Sequence, residues 1–196
     1  MKKILLIFVL SLLFNFSSKA NDAHFGVDLG WGFVDLKAAD TAQTIANLSG
    51  STVTYTYDEA ALVGRAYFDA EIADNILAEI GYFLSGDMSA TYTIGSASAS
   101  ETYNASGIDA AVVYKPNDEG AFFKAGMHSS ELDGAVDVTI DGTKYNIAQE
   151  SASGIGYLVG AGFDFDENYR VGYTFYTSIG GIADADIGLL YIGYRF

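Results

Sequence analysis

The chain has 196 residues, of which 50% are hydrophobic, and 25 acidic residues against 10 basic ones give a net charge of −15. This excess of acid excludes a nucleic-acid-binding surface, because phosphate backbones are bound by clustered Lys and Arg. The absence of Cys excludes disulfides and thiolate metal sites, and two His are too few for a multi-histidine metal centre. With 22 Gly, 14 Tyr, 13 Phe and a single Pro, the composition favours an all-β protein.

Residues 1–20 have the pattern of a secretory signal peptide. Lys2 and Lys3 precede a largely apolar run at 4–14, and Ser18 and Ala20 supply the small residues of a cleavage site after Ala20. As a helix this run would span about 16 Å, well short of a ~30 Å hydrocarbon core. Cleavage would leave seven basic residues against 25 acidic ones, a net charge of −18.

Eight later segments alternate large apolar side chains with small or polar ones, which is the period-2 pattern of a two-faced strand. In the first, Val27, Leu29 and Trp31 lie on one face, and Asp28 lies with glycines on the other. No later segment reaches the roughly eighteen consecutive apolar residues of a transmembrane helix. We therefore predict eight strands, at residues 24–33, 62–69, 78–85, 108–115, 121–128, 154–164, 170–175 and 188–196.

The connections between these strands alternate between two lengths. Compact polar turns are predicted at 73–75, 116–119 and 166–168, and long excursions at 35–53, 86–102, 129–152 and, somewhat shorter, 178–185. Short turns at one end and long loops at the other are typical of outer-membrane barrels.

The long excursions also carry strand signals. Segments 136–140 and 143–147 flank Asp141-Gly142, a strong hairpin signal. Segments 51–57 and 88–94 alternate as if they extended the second and third strands, so we expect a protruding sheet beyond the membrane. The low-complexity run at 95–100 leaves a flexible, partly disordered loop at 95–102 as the alternative.

The polarity of the faces indicates a barrel whose apolar side meets lipid. The opposite face carries an ionisable residue on every strand, four acidic and four basic, and charges shielded from water must be paired. We predict a structural ionic network of Arg65, Glu79, Asp109 and Lys124 with Asp28 in the interior. Arg170, Asp164 and Arg195 lie near the short-turn rim and are expected to be solvated. Eight strands enclose a lumen that side chains can fill, which argues against a general pore.

The last strand carries a second signal. Leu190, Ile192, Tyr194 and Phe196 alternate up to the terminal Phe, and this ending resembles the C-terminal signature that the barrel-assembly machinery recognises in outer-membrane proteins. With the eight strands, residues 21–196 resemble the barrel domain of the small OmpA-type and OmpX/Ail-type proteins of Gram-negative bacteria.

The resemblance implies an eight-stranded antiparallel up-and-down transmembrane β-barrel with short periplasmic turns and long, partly β-structured extracellular loops. It also implies a monomer that sits in outer-membrane lipid and lipopolysaccharide and carries any recognition of host or surface ligands on its loops. We expect no cofactor, no catalytic site and no nucleic-acid partner.

Several functions remain open at this point. A non-enzymatic barrel for envelope integrity or adhesion-like surface contact is favoured, with a narrow or gated small-solute channel as the alternative. A lipid-modifying enzyme would need His128 and Ser130, which share a strand face; a polar rim is the expected role for these residues. A soluble lipocalin-like barrel would require the reverse face polarity. Acidic loop residues that share divalent cations with lipopolysaccharide phosphates are a further option.

Overall fold

The computed structural model describes residues 23–117 and 120–196, so the predicted signal peptide and part of the predicted turn at 116–119 lie outside it. The described residues form ten strands, one α-helix and a short 3₁₀ helix. They are β1 (Ala23–Phe33), α1 (Ala38–Ser49), β2 (Thr54–Asp58), β3 (Ala60–Ala73), β4 (Ile76–Ser85), β5 (Met88–Ile94), β6 (Ala97–Tyr114), β7 (Gly120–Ile140), β8 (Thr143–Asp164), β9 (Tyr169–Tyr176), the 3₁₀ helix (Ile179–Gly181) and β10 (Ile187–Arg195).

Eight of the strands close into a ring. The order is β1-β3-β4-β6-β7-β8-β9-β10, and β10 returns to pair with β1 between Gly26↔Arg195 and Phe33↔Gly188. Every pairing is antiparallel, which confirms the predicted eight-stranded up-and-down barrel. Neither helix among the described residues is long and apolar enough to cross a membrane.

The wall of the ring is apolar outside and polar inside. Leu29 and Trp31 are 58% and 59% exposed, whereas Asp28, next to Leu29, is 2% exposed. The same alternation follows the other ring strands and gives an outer belt of Phe, Tyr, Leu, Ile and Val. A water-soluble barrel has the reverse polarity, so these faces fit a barrel that is surrounded by lipid.

Three ring strands extend far beyond the ring. β6, β7 and β8 have 18, 21 and 22 residues, about twice the 9–11 residues that cross a membrane. β5 adds to the upper part of β6 and β2 adds to β5, which makes a five-stranded protruding sheet. The predicted hairpin at Asp141-Gly142 is confirmed, since Ile140 pairs with Thr143 and both turn residues have the positive φ of a type I′ turn.

The structure corrects three details of the excursions. The segments predicted as extensions of the second and third strands are separate strands, β2 and β5, which pair with each other outside the ring. The flexible loop considered for 95–102 is wrong, because Gly95 and Ser96 form a turn and Ala97 begins β6. The excursion at 35–53 contains α1, whose Ala38 and Ala42 pack on Ala90 and Tyr92 of β5.

Candidate functional site

Six charged side chains fill the middle of the lumen, and we call them the central ion network. All six are almost fully buried, and they balance as three carboxylates against three cations. Each comes from a different ring strand, so the network joins the walls of the barrel across its interior. Its members are Asp28, Arg65, Glu79, Asp109, Lys124 and Arg170.

Arg65 contacts all three carboxylates. Its Nε and Nη2 donate to the two oxygens of Asp109 at 2.8 and 2.6 Å, a bidentate pair. Nη2 also donates to Glu79 Oε1 at 2.8 Å, and Nη1 donates to Asp28 Oδ2 at 3.1 Å. Tyr176 completes the shell by donating its hydroxyl to Asp109 Oδ2 at 3.2 Å.

Arg170 forms a second hub on the other side of the lumen. Its Nε and Nη2 donate to the two oxygens of Asp28 at 3.0 and 2.7 Å, and Nη1 donates to Glu79 Oε2 at 3.0 Å. Its guanidinium carbon lies 3.9 Å from the centre of the Tyr67 ring, a cation–π contact. Lys124 Nζ adds a longer contact of 3.5 Å to Glu79.

A second balanced cluster lies at the short-turn end. Arg195 contacts Asp69 at 3.0 Å and Asp164 at 3.7 Å, and Lys115 contacts Asp164 at 2.8 Å. The expectation that Arg170, Asp164 and Arg195 are solvated is wrong, because they are 2%, 2% and 7% exposed. Arg195 and Asp164 are shielded in the cluster that they form with Asp69 and Lys115, and the long Arg170 side chain reaches inward to the centre of the barrel.

The five residues predicted for the network all lie buried in the lumen, where the structure brings them together. Three residues outside the predicted set also take part: Arg170 as a hub, and Asp69 and Lys115 as partners in the cluster at the short-turn end. A signal was available: of the seven Lys and Arg residues after position 20, five lie in the lumen or at its short-turn mouth, and only Lys37 and Lys144 lie elsewhere.

Glycines on the strands next to those of Arg65 and Arg170 make room for these long side chains. A Cβ at Gly81 would lie 2.6–2.7 Å from atoms of the Arg65 guanidinium, and one at Gly193 would lie 2.8 Å from Arg170 Cγ. No side chain larger than hydrogen fits at either position without displacing the network.

An apolar layer covers the network on the long-loop side. Phe83 and Tyr176 are buried with ring centres 5.0 Å apart, and Leu189, Met88 and Ile179 pack in the same cluster. The ion layer and the apolar layer thus lie one above the other in the described lumen, as expected of an eight-stranded barrel, whose interior is just wide enough for side chains.

His128 and Ser130 are joined near this layer. His128 Nδ1 lies 3.1 Å from Ser130 Oγ, and His128 Nε2 lies 2.8 Å from the carbonyl oxygen of Thr177. Ser130 Oγ also accepts a hydrogen bond from Gly180 N at 2.9 Å. The histidine faces a backbone carbonyl rather than a carboxylate, and both side chains are buried, so the pair anchors the 3₁₀ helix to β7.

The protruding sheet leaves one edge of β8 without a neighbouring strand. β9 pairs with β8 only from Leu158 to Asp164, while β8 continues to Thr143. At Tyr157 both the amide and the carbonyl face the β9 side, where they bond Thr177. Backbone groups point alternately to the two sides of a strand, and Gln149 lies eight residues from Tyr157 with no register shift between them. The amide of Gln149 therefore faces the same open side.

The exterior of this sheet is acidic. Asp137 at the hairpin tip has its pKa lowered by hydrogen bonds from Lys144 and Asn146. Among the described residues beyond the ring, Lys37 and Lys144 are the cations, against a much larger number of carboxylates.

No protein-family model and no curated protein matches this sequence. Among solved structures, the chain is similar to Ail, the attachment invasion locus protein of Yersinia pestis, in complex with the heparin analogue sucrose octasulfate. The TM-score is 0.54 at 12% identity, over 89% of this chain and 99% of Ail. The fold is that of a small outer-membrane β-barrel.

Two further matches have TM-scores too low to add weight to this comparison. OprG from Pseudomonas aeruginosa matches at TM-score 0.47 and 8% identity, over 89% of this chain and 96% of OprG. Neisserial surface protein A matches at TM-score 0.41 and 14% identity, over 89% of this chain and 98% of that protein. The similarity to Ail confirms the predicted OmpX/Ail-type barrel as a fold, and a shared fold does not establish a shared function.

Proposed function

We propose that this chain is a non-enzymatic outer-membrane barrel that contacts other molecules at the cell surface through the open edge of β8. Export would follow cleavage after Ala20, and the barrel would insert as a monomer into lipid and lipopolysaccharide. The alternating Leu190, Ile192, Tyr194 and Phe196 would be the segment read by the barrel-assembly machinery.

The aromatic residues at the short-turn end support the membrane placement. Phe196 stacks on Phe25 with ring centres 5.7 Å apart and meets Tyr194 at 4.9 Å, and Tyr194 meets Tyr169 at 5.0 Å. Aromatic girdles of this kind mark the lipid–water interfaces of outer-membrane barrels. The short turns would then face the periplasm, and the protruding sheet would stand outside the cell.

The open edge of β8 is the observation that carries the surface role. An unpaired strand edge offers a row of amides and carbonyls to which another chain can add as a strand. The edge at Gln149 and Ser151 has neither a proline nor a lysine to block such pairing. The acidic exterior would favour a partner strand with basic or neutral side chains over a polyanion.

Cell binding tests this role. A Gram-negative strain that displays the chain would be applied to surfaces coated with a mixture of extracellular-matrix proteins and, in parallel, with heparin. We expect the chain to increase binding to the proteins and not to heparin. Heat-dependent migration on a detergent gel would first show that the barrel is folded.

Gln149→Pro is the sharpest variant, because proline removes an edge amide without breaking the pairing of β8 with β7. Binding should fall several-fold with Gln149→Pro and stay at the parental level with the matched Gln149→Thr. The proposal fails if the folded barrel confers no binding to matrix proteins, or if Gln149→Pro binds them as well as the parent.

A further inference from the structure

A cavity of about 320 Å³ opens at the long-loop end of the barrel, above the apolar layer of the lumen. Its walls come from the chain that follows β1 and from the loop between β9 and β10. Nine of its thirteen lining residues are Val, Leu, Ile, Met or Ala. Pockets for small molecules have this character, with a mostly apolar lining and a few polar groups.

The floor of the cavity is closed. Met88, Ile179 and Ile187 line it and are no more than 5% exposed. They belong to the same buried cluster as Phe83 and Tyr176, under which the central ion network lies. A molecule that enters from outside therefore reaches a closed apolar floor, below which lie the paired charges of the central ion network.

The wall formed by the loop between β9 and β10 is fixed by hydrogen bonds. Ile179 N donates to Ala185 O at 2.7 Å, Ser178 N donates to Asp186 Oδ1 at 2.9 Å, and Gly180 N is held by Ser130. The cavity therefore exists before a ligand arrives, and binding would not have to order this loop.

The polar groups of the lining restrict the charge of the ligand. Lys37 and Asp184 approach to 3.9 Å, and Asp35 adds a second carboxylate. Tyr103 donates its hydroxyl to Glu101 at 3.3 Å, and burial with this carboxylate raises the pKa of Tyr103 to about 12, so it stays neutral. Two carboxylates against one ammonium disfavour an anionic ligand.

We propose that this cavity binds a neutral, largely hydrocarbon small molecule and holds it at the cell surface without passing it through the barrel. At roughly 30 Å³ per water molecule in the liquid, the cavity has room for about ten waters, enough for a fused bicyclic aromatic. Displacement of water from the apolar lining would drive binding. This site is separate from the open edge of β8, so either proposal can fail alone.

Two methionines can report where a ligand binds, because one lines the cavity and the other faces the lipid. Besides Met1 the chain has two, Met88 on the cavity floor and Met127 on the lipid-facing wall, where it is 49% exposed. With isotope-labelled methionine methyl groups in a lipid nanodisc, naphthol would be titrated as a neutral probe and naphthoate as an anionic one. A molecule in the cavity shifts the Met88 resonance, whereas a molecule dissolved in the bilayer shifts Met127.

Naphthol should shift Met88 along a saturable curve, while Met127 responds only in proportion to the amount partitioned into lipid. Ala183→Trp fills the cavity from its exposed rim and should weaken the Met88 response roughly tenfold or more. Ala39→Trp, on the exposed face of α1, is the matched control and should leave the response unchanged.

Three results would overturn the proposal. One is a Met88 resonance that does not move while Met127 does, which is partitioning alone. Another is a Met88 response that survives Ala183→Trp, which places the ligand elsewhere. The third is naphthoate binding as tightly as naphthol, which removes the preference for a neutral ligand.

Discussion

Arg65 and Arg170 donate hydrogen bonds to the same oxygen, Oδ2 of Asp28, at 3.1 and 2.7 Å. They come from β3 and β9, which lie three places apart in the ring. The two guanidinium groups also share Glu79, each bonding one of its oxygens. Strands with no backbone pairing to each other are thus tied together through two carboxylates.

Removal of the Arg65 guanidinium should be strongly destabilising. Arg65→Met leaves Asp109 and Glu79 buried with too few donors, and removing one partner of a buried ion pair costs about 3–5 kcal/mol. Urea unfolding of the barrel in lipid vesicles, followed by intrinsic fluorescence, would measure the loss. Lys144→Met is the matched control, since its partner Asp137 sits at the exposed hairpin tip. Equal stability of the two variants would contradict a structural role for the central ion network.

A single added methyl group on the adjacent strand β4 should disturb the same network. In Gly81→Ala the new Cβ would push on the Arg65 guanidinium, and overpacking of this kind costs about 1–3 kcal/mol. Gly64→Ala on the neighbouring strand is the control, because a Cβ there has no atom within 4 Å. The same urea experiment should show lower stability for Gly81→Ala and unchanged or slightly higher stability for Gly64→Ala. Lower stability for Gly64→Ala than for Gly81→Ala would mean that the lumen is more loosely packed than described.

The titration of Tyr103 reports on the protruding sheet. Burial is the main reason that its pKa is raised to about 12, and the charge and hydrogen bond of Glu101 add to it. Glu101→Gln should therefore lower this pKa part of the way toward 10, as followed by NMR of the ring. The stabilising effect of the neutral phenol is present below pH about 10 and is lost as the pH rises toward 12. Glu131→Gln, whose side chain bonds Ser151, should leave the titration unchanged.

The role of Phe196 can be tested by measuring how much barrel is assembled in the outer membrane. If Phe196 is read by the assembly machinery, Phe196→Ser should lower the amount of heat-modifiable barrel in the outer membrane several-fold. Phe165→Ser is a suitable comparison, because Phe165 and Phe196 are 62% and 65% exposed near the same end of the barrel. A loss of similar size in both variants would assign Phe196 to the aromatic girdle and not to recognition.

The ring was predictable because each of its strands separates two environments. A strand between lipid and lumen must alternate apolar and polar side chains, and a register shift of one residue would place Asp28 or Arg65 against acyl chains. The same logic identified the five predicted network residues. It did not identify Arg170 as a hub, because position along a strand does not reveal how far a long side chain reaches across a narrow lumen.

The region beyond the ring was harder to predict because both faces of a protruding strand can meet water. β2 and β5 alternate like ring strands, but they leave the ring at Glu59 and at Gly86-Asp87, where no hydrophobic requirement fixes their partners. The helix α1 has a weak signal, since its buried side is made of Ala38 and Ala42 and it has no side-chain N-cap. Its position depends on Tyr92 of β5, a contact between segments far apart in sequence.

The six charges at the centre of the barrel also constrain how the protein can change over generations. Each arginine bonds several acids, and two of the three acids, Asp28 and Glu79, bond more than one cation. A single replacement therefore leaves several neighbouring charges without a partner instead of exchanging one ion pair for another. We therefore expect relatives of this chain either to keep the set intact or to have replaced it wholesale by an apolar filling, with intermediates rare. The protruding sheet has no such network of shared partners, so we expect its residues to diverge more quickly than those at the centre of the barrel.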